Sequence, residues 1–267
     1  MSVSHKARKR FGQNFLTDNT VIDRIIHSIH PQHGDLMVEI GPGLGALTCP
    51  LLRRLGKLHV VELDRDIIPK LSQACGRFGE LHIHNQDVLE FDFAGLTENS
   101  QPLRIVGNLP YNISTPILFH LIKYGPLIRD MHFMLQKEVV ERMAAEPGGH
   151  EYGRLSVMLQ YHCEVWSLFN VPSHAFRPQP KVESAIVRLV PHARAPVLVD
   201  DYTLFEQVVK QAFSQRRKTL RNTLKTICDA DIIESAGIDP GLRPEQLTLT
   251  QYVELCNRIN RTEQVTK

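Results

Sequence analysis

No stretch of eighteen consecutive apolar residues occurs in this chain, so no segment reads as a membrane-spanning helix. The basic N-terminus has no apolar run behind it, which argues against a secretory signal. No Cys-x-x-Cys pair is present: Cys49, Cys75, Cys163, Cys228 and Cys256 are scattered and odd in number. That spacing argues against a zinc site and against a disulfide framework, and it fits reduced thiols in a cytoplasmic protein. His82 and His84 share a face of a strand-like run, but no third ligand lies near them in sequence, so no metal is expected. Internal repeats and low-complexity tracts are also lacking.

Net charge is nearly absent, at +2, but its distribution is uneven. Lys6, Arg8, Lys9 and Arg10 form one acid-free basic segment, and Arg216, Arg217, Lys218, Arg221 and Lys225 form a second. Subtracting those nine charges from +2 leaves −7 for the remainder. Basic charge gathered into two short segments of an otherwise acidic protein suits docking on a polyanion. A hydrophobic content of 42% over 267 residues is enough for a full core, in one large domain or a main domain with a small one attached.

Short apolar strands alternate with helices through the first half of the chain. Asp18 is a candidate N-cap, and Val21, Ile22, Ile25, Ile26 and Ile29 fall on one helical face. Strands are predicted at 36–40, 58–63, 81–84, 103–106 and 131–135, with helices between them. This is the pattern of a parallel, doubly wound α/β sheet. Two further strands are predicted at 164–171 and 182–190. Pro191 to Pro196 reads as a linker, and beyond it only helical periodicity remains. The expected division is 1–197, an α/β domain with a basic arm at 1–17, and 198–267, a small all-helical domain.

Chemistry-bearing residues collect at the strand ends. Glu39-Ile40-Gly41-Pro42-Gly43-Leu44-Gly45 joins the first strand of the sheet to its helix. Its glycines permit a tight turn and close approach of a ligand to the backbone. Glu62 ends the second strand, where a carboxylate can accept from two ribose hydroxyls. Asp87 follows the third, where it can accept from an adenine amine. Asn108-Leu109-Pro110-Tyr111 follows the fourth. There an amide oxygen and neighbouring carbonyls can accept from an exocyclic amine, proline removes a competing donor, and tyrosine offers a stacking face. Such a set suits methylation of an adenine N6 amine.

The glycine loop, spaced GxGxG after an acid, resembles motif I of class I S-adenosylmethionine-dependent methyltransferases, whose domain is Rossmann-like. Over essentially its whole length the chain resembles the small-subunit (16S) rRNA adenine N6,N6-dimethyltransferases, the KsgA/RsmA family. Five segments carry the resemblance: 11–16 (FGQNFL), 39–45, Asn108 to Ser114 (NLPYNIS), Phe176 to Ser184 (FRPQPKVES), and Ala212-Phe213 with Arg216-Arg217-Lys218 and Leu220. It implies S-adenosyl-L-methionine as cofactor, with contacts from Asn14, Leu16, Gly41, Gly43, Glu62, Asp87 and Asn108. It implies that the target adenine lies between Tyr111 and Phe176, with Leu109 and Pro110 completing the catalytic tetrapeptide. It further implies two adjacent adenosines in a hairpin loop near the 3′ end of 16S rRNA, methylated on an immature small subunit, with no membrane and no obligate protein partner. Lys6, Arg8, Lys9, Arg10, Arg216, Arg217, Lys218 and Arg221 are the expected rRNA contacts.

Two other readings compete. A related family methylates a large-subunit rRNA adenine and confers macrolide resistance. An assembly factor that binds pre-ribosomes, with catalysis secondary, is the second. DNA adenine methyltransferases usually carry a second proline in the tetrapeptide, which this chain lacks.

Overall fold

The structure is a computed structural model that describes residues 14–97, 101–215 and 217–265. Lys6, Arg8, Lys9, Arg10, the 11–13 part of the first resemblance segment and Arg216 lie outside the described residues. Contacts divide the chain into two compact units. Among the described residues, one holds those of 14–140 and 166–191; the other holds those of 141–165 and 192–265. The expected boundary at 197/198 leaves 141–165 on the α/β side, whereas the contact division groups that stretch with the C-terminal helices.

A sheet of seven strands, all in the first unit except the first three residues of β7, comprises β2 (Met37–Ile40), β3 (Lys57–Val61), β4 (Glu80–His84), β5 (Leu103–Asn108), β6 (Ile128–Gln136), β7 (Cys163–Val171) and β9 (Ser184–Pro191). Their order across the sheet is β4-β3-β2-β5-β6-β9-β7. β4, β3, β2, β5 and β6 run parallel, and β9 pairs antiparallel with β6. Chain order reverses at β2, which is flanked by β3 and β5. In open α/β sheets the crevice at such a reversal is where ligands bind. β2 and most of β5 and β6 are buried along their length, as expected of parallel strands covered on both faces. The fold is therefore the α/β class expected from the alternating pattern.

Helices α1 (Asn19–Ile29), α2 (Thr48–Leu55), α3 (Ile68–Cys75), α4 (Ser114–Leu121) and α5 (Lys137–Met143) follow the predicted positions. Asp18 caps α1 by accepting from the backbone N–H groups of Thr20 and Val21, at 2.9 and 3.2 Å. Val21, Ile25, Ile26 and Ile29 are buried, each contributing about 1.5–3 kcal/mol. Arg104 on β5 ties the end of α1 to the sheet. Its guanidinium donates to Ile29 O at 2.6 Å and to the carboxylates of Asp35 and Asp130 at 2.7–2.9 Å.

Two features escaped the sequence. β1 (Phe15–Leu16) pairs antiparallel with β8 (Phe176–Arg177) in a separate two-stranded ladder, with Leu16 opposite Phe176. Two-residue strands carry no periodicity. The expectation of reduced cysteines is corrected: Cys49 and Cys75 form a disulfide, while Cys163, Cys228 and Cys256 are free and buried. Cys49 lies in the first turn of α2 and Cys75 ends α3. Packing of those two helices brings the Cα atoms to 4.8 Å, a proximity that 26 residues of separation conceal.

The second unit is helical in its C-terminal stretch: α7 (Tyr202–Ala212), α8 (Leu220–Thr223), α9 (Ala230–Ser235) and α10 (Leu249–Val265), with α6 (Arg154–His162) from earlier in the chain. Residues 213–215 and 217–219 separate α7 from α8. Phe205, Val208, Val209, Tyr252, Val253 and Cys256 form its core, and the Tyr252 hydroxyl donates to Pro244 O at 2.7 Å. Arg217, Lys218, Arg221 and Lys225 are exposed. Among the described residues no helix is long and apolar enough to cross a membrane.

Candidate active site at the strand ends

A cavity of about 330 Å³ opens at the carboxyl ends of β2, β3, β4 and β5. Its position follows from the topology, since these are the strands around the order reversal. Every cofactor position expected from the resemblance lines it: Asn14, Leu16, Gly41, Gly43, Glu62, Asp87 and Asn108. Leu109, Pro110 and Tyr111 line it too. The strand-end carboxylates and the tetrapeptide, which lie far apart in the chain, thus face one space.

The glycine loop forms the floor. Gly43 and Gly45 have φ of +54° and +94°, a left-handed conformation that side chains rarely adopt. A Cβ on Gly43 would sit 3.2 Å from the Phe15 ring, and one on Gly45 would sit 2.6 Å from Cys75 Sγ. β1 therefore lies directly against the loop, and the disulfide lies directly beneath it.

Glu62 is nearly buried, and its Oε1 accepts from the Asp64 backbone N–H at 2.7 Å. Burial raises its carboxyl above the usual range, while backbone donors at Asp64 and Gly43 oppose that rise. Its backbone carbonyl accepts from Asn85 Nδ2 at 2.8 Å, which locks the turn after β3. Asp87 accepts from the Leu89 N–H at 2.9 Å. Leu63, beside Glu62, lines the cavity although it is 50% exposed, so it presents an apolar face to that space.

Glu39, the acid ahead of the glycine loop, also lines the cavity. It is 2% exposed, and its Oε2 has no hydrogen-bond partner among the described residues. Burial, with the negative charge of Glu62 adding to it, pushes its carboxyl up to about 8. At physiological pH that carboxyl is therefore largely neutral, able to donate as well as accept a hydrogen bond. Together with Glu62, Asp87 and the close backbone at Gly41 and Gly43, this set of groups fits a cationic, ribose-bearing adenosyl group.

The tetrapeptide closes the other wall. Asn108 ends β5, and its Nδ2 donates to the Asn14 backbone carbonyl at 3.1 Å. Leu109 N donates to Met134 O at 3.2 Å, and the Pro110 carbonyl accepts from Ile113 N at 3.2 Å. The Tyr111 hydroxyl shares a 2.7 Å hydrogen bond with Ser184 Oγ. Burial raises the Tyr111 phenol above its ordinary value, so it stays neutral at physiological pH and does not serve as a base.

Phe176 is placed differently from its expected role. It is fully buried in a core cluster, opposite Leu16 in the β1–β8 ladder, and it is not among the residues that line the cavity. Its contribution in this structure is to hold β1 over the glycine loop. His59 joins His82 and His84 by strand register, with His59 Nδ1 3.1 Å from His84 Nε2. Even so, no group of three or more His, Cys, Asp or Glu among the described residues could hold a metal ion.

Comparison with known proteins agrees with this geometry. The ribosomal RNA adenine dimethylase family model matches residues 4–261. The chain is 59% identical over 255 residues to ribosomal RNA small subunit methyltransferase A of Pseudomonas fluorescens (strain Pf0-1), covering 96% of this chain and 94% of that protein. Among solved structures it is similar to a dimethyladenosine transferase from Plasmodium falciparum (TM-score 0.79, 26% identity, 93% of this chain and 98% of that one). It is also similar to the 23S rRNA methyltransferase ErmE (TM-score 0.72, 25% identity, 92% and 100%). With its cavity, its tetrapeptide and a family match across nearly all of its length, the chain belongs to the ribosomal RNA adenine dimethylases.

Proposed function

We propose that the protein transfers methyl groups from S-adenosyl-L-methionine to the N6 amines of two adjacent adenosines in a hairpin loop near the 3′ end of 16S rRNA, on the immature small subunit. The protein is an rRNA adenine dimethyltransferase; the rRNA site and the stage of assembly are the finer part of this reading. They rest on the resemblance and on the 59% identical relative, which is named for the small subunit.

The observation that carries the chemistry is the bond from Asn108 Nδ2 to Asn14 O. With its amino half donating to Asn14, the amide's oxygen, an acceptor only, is the group left for a ligand. An adenine amine presents donors there, and its lone pair, normally delocalised into the ring, is the nucleophile. Accepting from the N–H groups orients that amine. The Pro110 carbonyl already accepts from Ile113 N and retains one lone pair for the same task. Holding donor and acceptor in line in this way can supply several kcal/mol of barrier lowering.

When bound, the cofactor supplies an electrophilic sulfonium methyl, so no covalent help from the protein is needed. Glu62 and Asp87 would hold its ribose and adenine, and the Gly41–Gly43 backbone with Asn14 and Leu16 would hold the rest. The amine becomes acidic only after attack, so its proton can leave to water and a neutral Tyr111 suffices. Tyr111 then supplies the stacking face for an adenine splayed from its loop. Arg217, Lys218 and Arg221, with Lys6, Arg8, Lys9, Arg10 and Arg216 outside the described residues, are the proposed phosphate contacts. A cytoplasmic site of action follows from a ribosomal substrate.

Labelled methyl transfer to unmethylated small subunits, large-subunit RNA and DNA in parallel tests the reading. Small subunits should be labelled and yield N6,N6-dimethyladenosine on digestion. Preferential labelling of large-subunit RNA would assign the protein the activity of its structural neighbour ErmE instead. Whether an Asn108 variant still associates with immature small subunits separates catalysis from an assembly role.

A further inference from the structure

We propose that Ser184 is a positioning residue for methyl transfer, acting through Tyr111. It rests on the reading of Tyr111 as the face on which the target adenine stacks.

Ser184 is fully buried and begins β9. Its backbone is held from two sides: it is paired with Gln136 on β6, and the preceding Glu183 carbonyl accepts from Lys137 N at 3.0 Å. A buried, ladder-paired backbone is a rigid anchor. From that anchor the Ser184 hydroxyl reaches the Tyr111 phenol at 2.7 Å, bridging 73 residues of sequence.

Tyr111 itself stands on less rigid ground, in the turn between β5 and α4. The Ser114 hydroxyl donates to its backbone carbonyl at 3.3 Å, which leaves the ring to be placed by other means. The phenol oxygen lies on the axis of the ring's last torsion, so a bond to it fixes where that axis points and not the ring's spin about it. The phenol is therefore the natural handle for fixing where the ring points. If burial were its only purpose, phenylalanine would fill the same space without a polar tip requiring a partner.

The demand on that position is greatest in the second transfer. An amine that already carries a methyl group must enter the same space with that substituent turned aside, so fewer orientations of the base remain productive. A ring free to tilt should tolerate the first transfer better than the second.

The test uses the full-length protein on unmethylated small subunits, with Ser184→Ala, Ser184→Thr, Tyr111→Phe and the Ser184→Ala/Tyr111→Phe double variant. Removing the tether should lower kcat by about tenfold, the scale of a small misplacement of reacting groups, with KM for the cofactor within about twofold. N6-monomethyladenosine should accumulate. Ser184→Thr, which keeps the hydroxyl, should restore rate and product ratio. The double variant should be no worse than either single one, because both remove one interaction. Wild-type kcat and product ratio in Ser184→Ala, or effects that multiply in the double variant, would overturn the inference. Should Ser184→Ala unfold, Tyr111→Phe removes the same bond from the other side, and wild-type behaviour there overturns it equally. The wild-type lane guards the underlying reading: absence of dimethyladenosine in that lane would refute the proposed function rather than the tether.

Discussion

Asn108, at the end of β5, donates its side-chain amide to the backbone carbonyl of Asn14, 94 residues earlier. The bond joins an expected cofactor ligand to the expected catalytic amide. It makes the stretch around β1 part of the cavity wall rather than a mere lead-in to the fold.

The first prediction follows from that bond. Asn108→Ala should reduce methyl transfer by at least about a hundredfold, the usual cost of removing a preorganised polar group. Cofactor affinity should remain closer to normal, since Glu62 and Asp87 are untouched. Asn108→Asp should be nearly as impaired, because a carboxylate cannot donate to the Asn14 carbonyl. Single-turnover rates beside calorimetric cofactor binding check both.

Gly45 gives a second prediction. Alanine there would meet both a φ of +94° and Cys75 Sγ at 2.6 Å. Gly45→Ala should cost about 1–3 kcal/mol of stability and weaken cofactor binding, because the strain falls on the loop that forms the cavity floor. Denaturant unfolding with a cofactor titration measures the two together.

Glu39 gives a pH dependence with a definite sign. Its folded value, about 8, stands above the ordinary 4.5. The protonated carboxyl is the form the folded protein prefers, so stability is complete below about pH 4.5 and falls as pH rises toward 8. In cofactor-free protein, Glu39→Gln should abolish that fall, a difference on the order of a few kcal/mol at about pH 8 and little at about pH 4.5. Urea unfolding of both proteins across this range decides it; parallel curves would remove Glu39 as the titrating group.

The Cys49–Cys75 disulfide closes a loop of 26 residues, which chain entropy values at about 3–4 kcal/mol. Reductant should therefore lower the unfolding midpoint by several degrees. Thiol titration of the denatured protein should find three thiols before reduction and five after.

Exposed Arg217, Lys218 and Arg221 supply the last prediction. Replacing them with glutamine should weaken rRNA binding and reduce the log–log salt slope by about 0.7–0.9 for each phosphate that is no longer neutralised. An unchanged slope would make the cluster an ordinary solvated surface.

Much of this site was legible in advance because its residues sit at strand ends. Apolar runs mark the strands, and the residue after each run is at the carboxyl edge. Glu62, Asp87 and Asn108 could thus be placed from the amino-acid order. Asn14 and Leu16 came only through resemblance, since a two-residue strand leaves no pattern. Phe176 shows the opposite case: its segment was recognised, yet side-chain direction in the short β8 ladder turns it into the core. Ser184 lay within a recognised segment, but a serine at a strand start carries no sign of the tyrosine it meets.

The sequence by itself determined the alternating strands and helices and placed candidate ligands and the Asn108–Tyr111 tetrapeptide at successive strand ends, because these depend on local periodicity and on residues close in the chain. Only the tertiary structure decided the Asn108–Asn14 bond, the Cys49–Cys75 disulfide, the burial of Phe176 and the tether from Ser184 to Tyr111. Each of these is a meeting of side chains or backbone across a long loop, and such meetings are settled by how helices and strands pack, not by spacing along the chain.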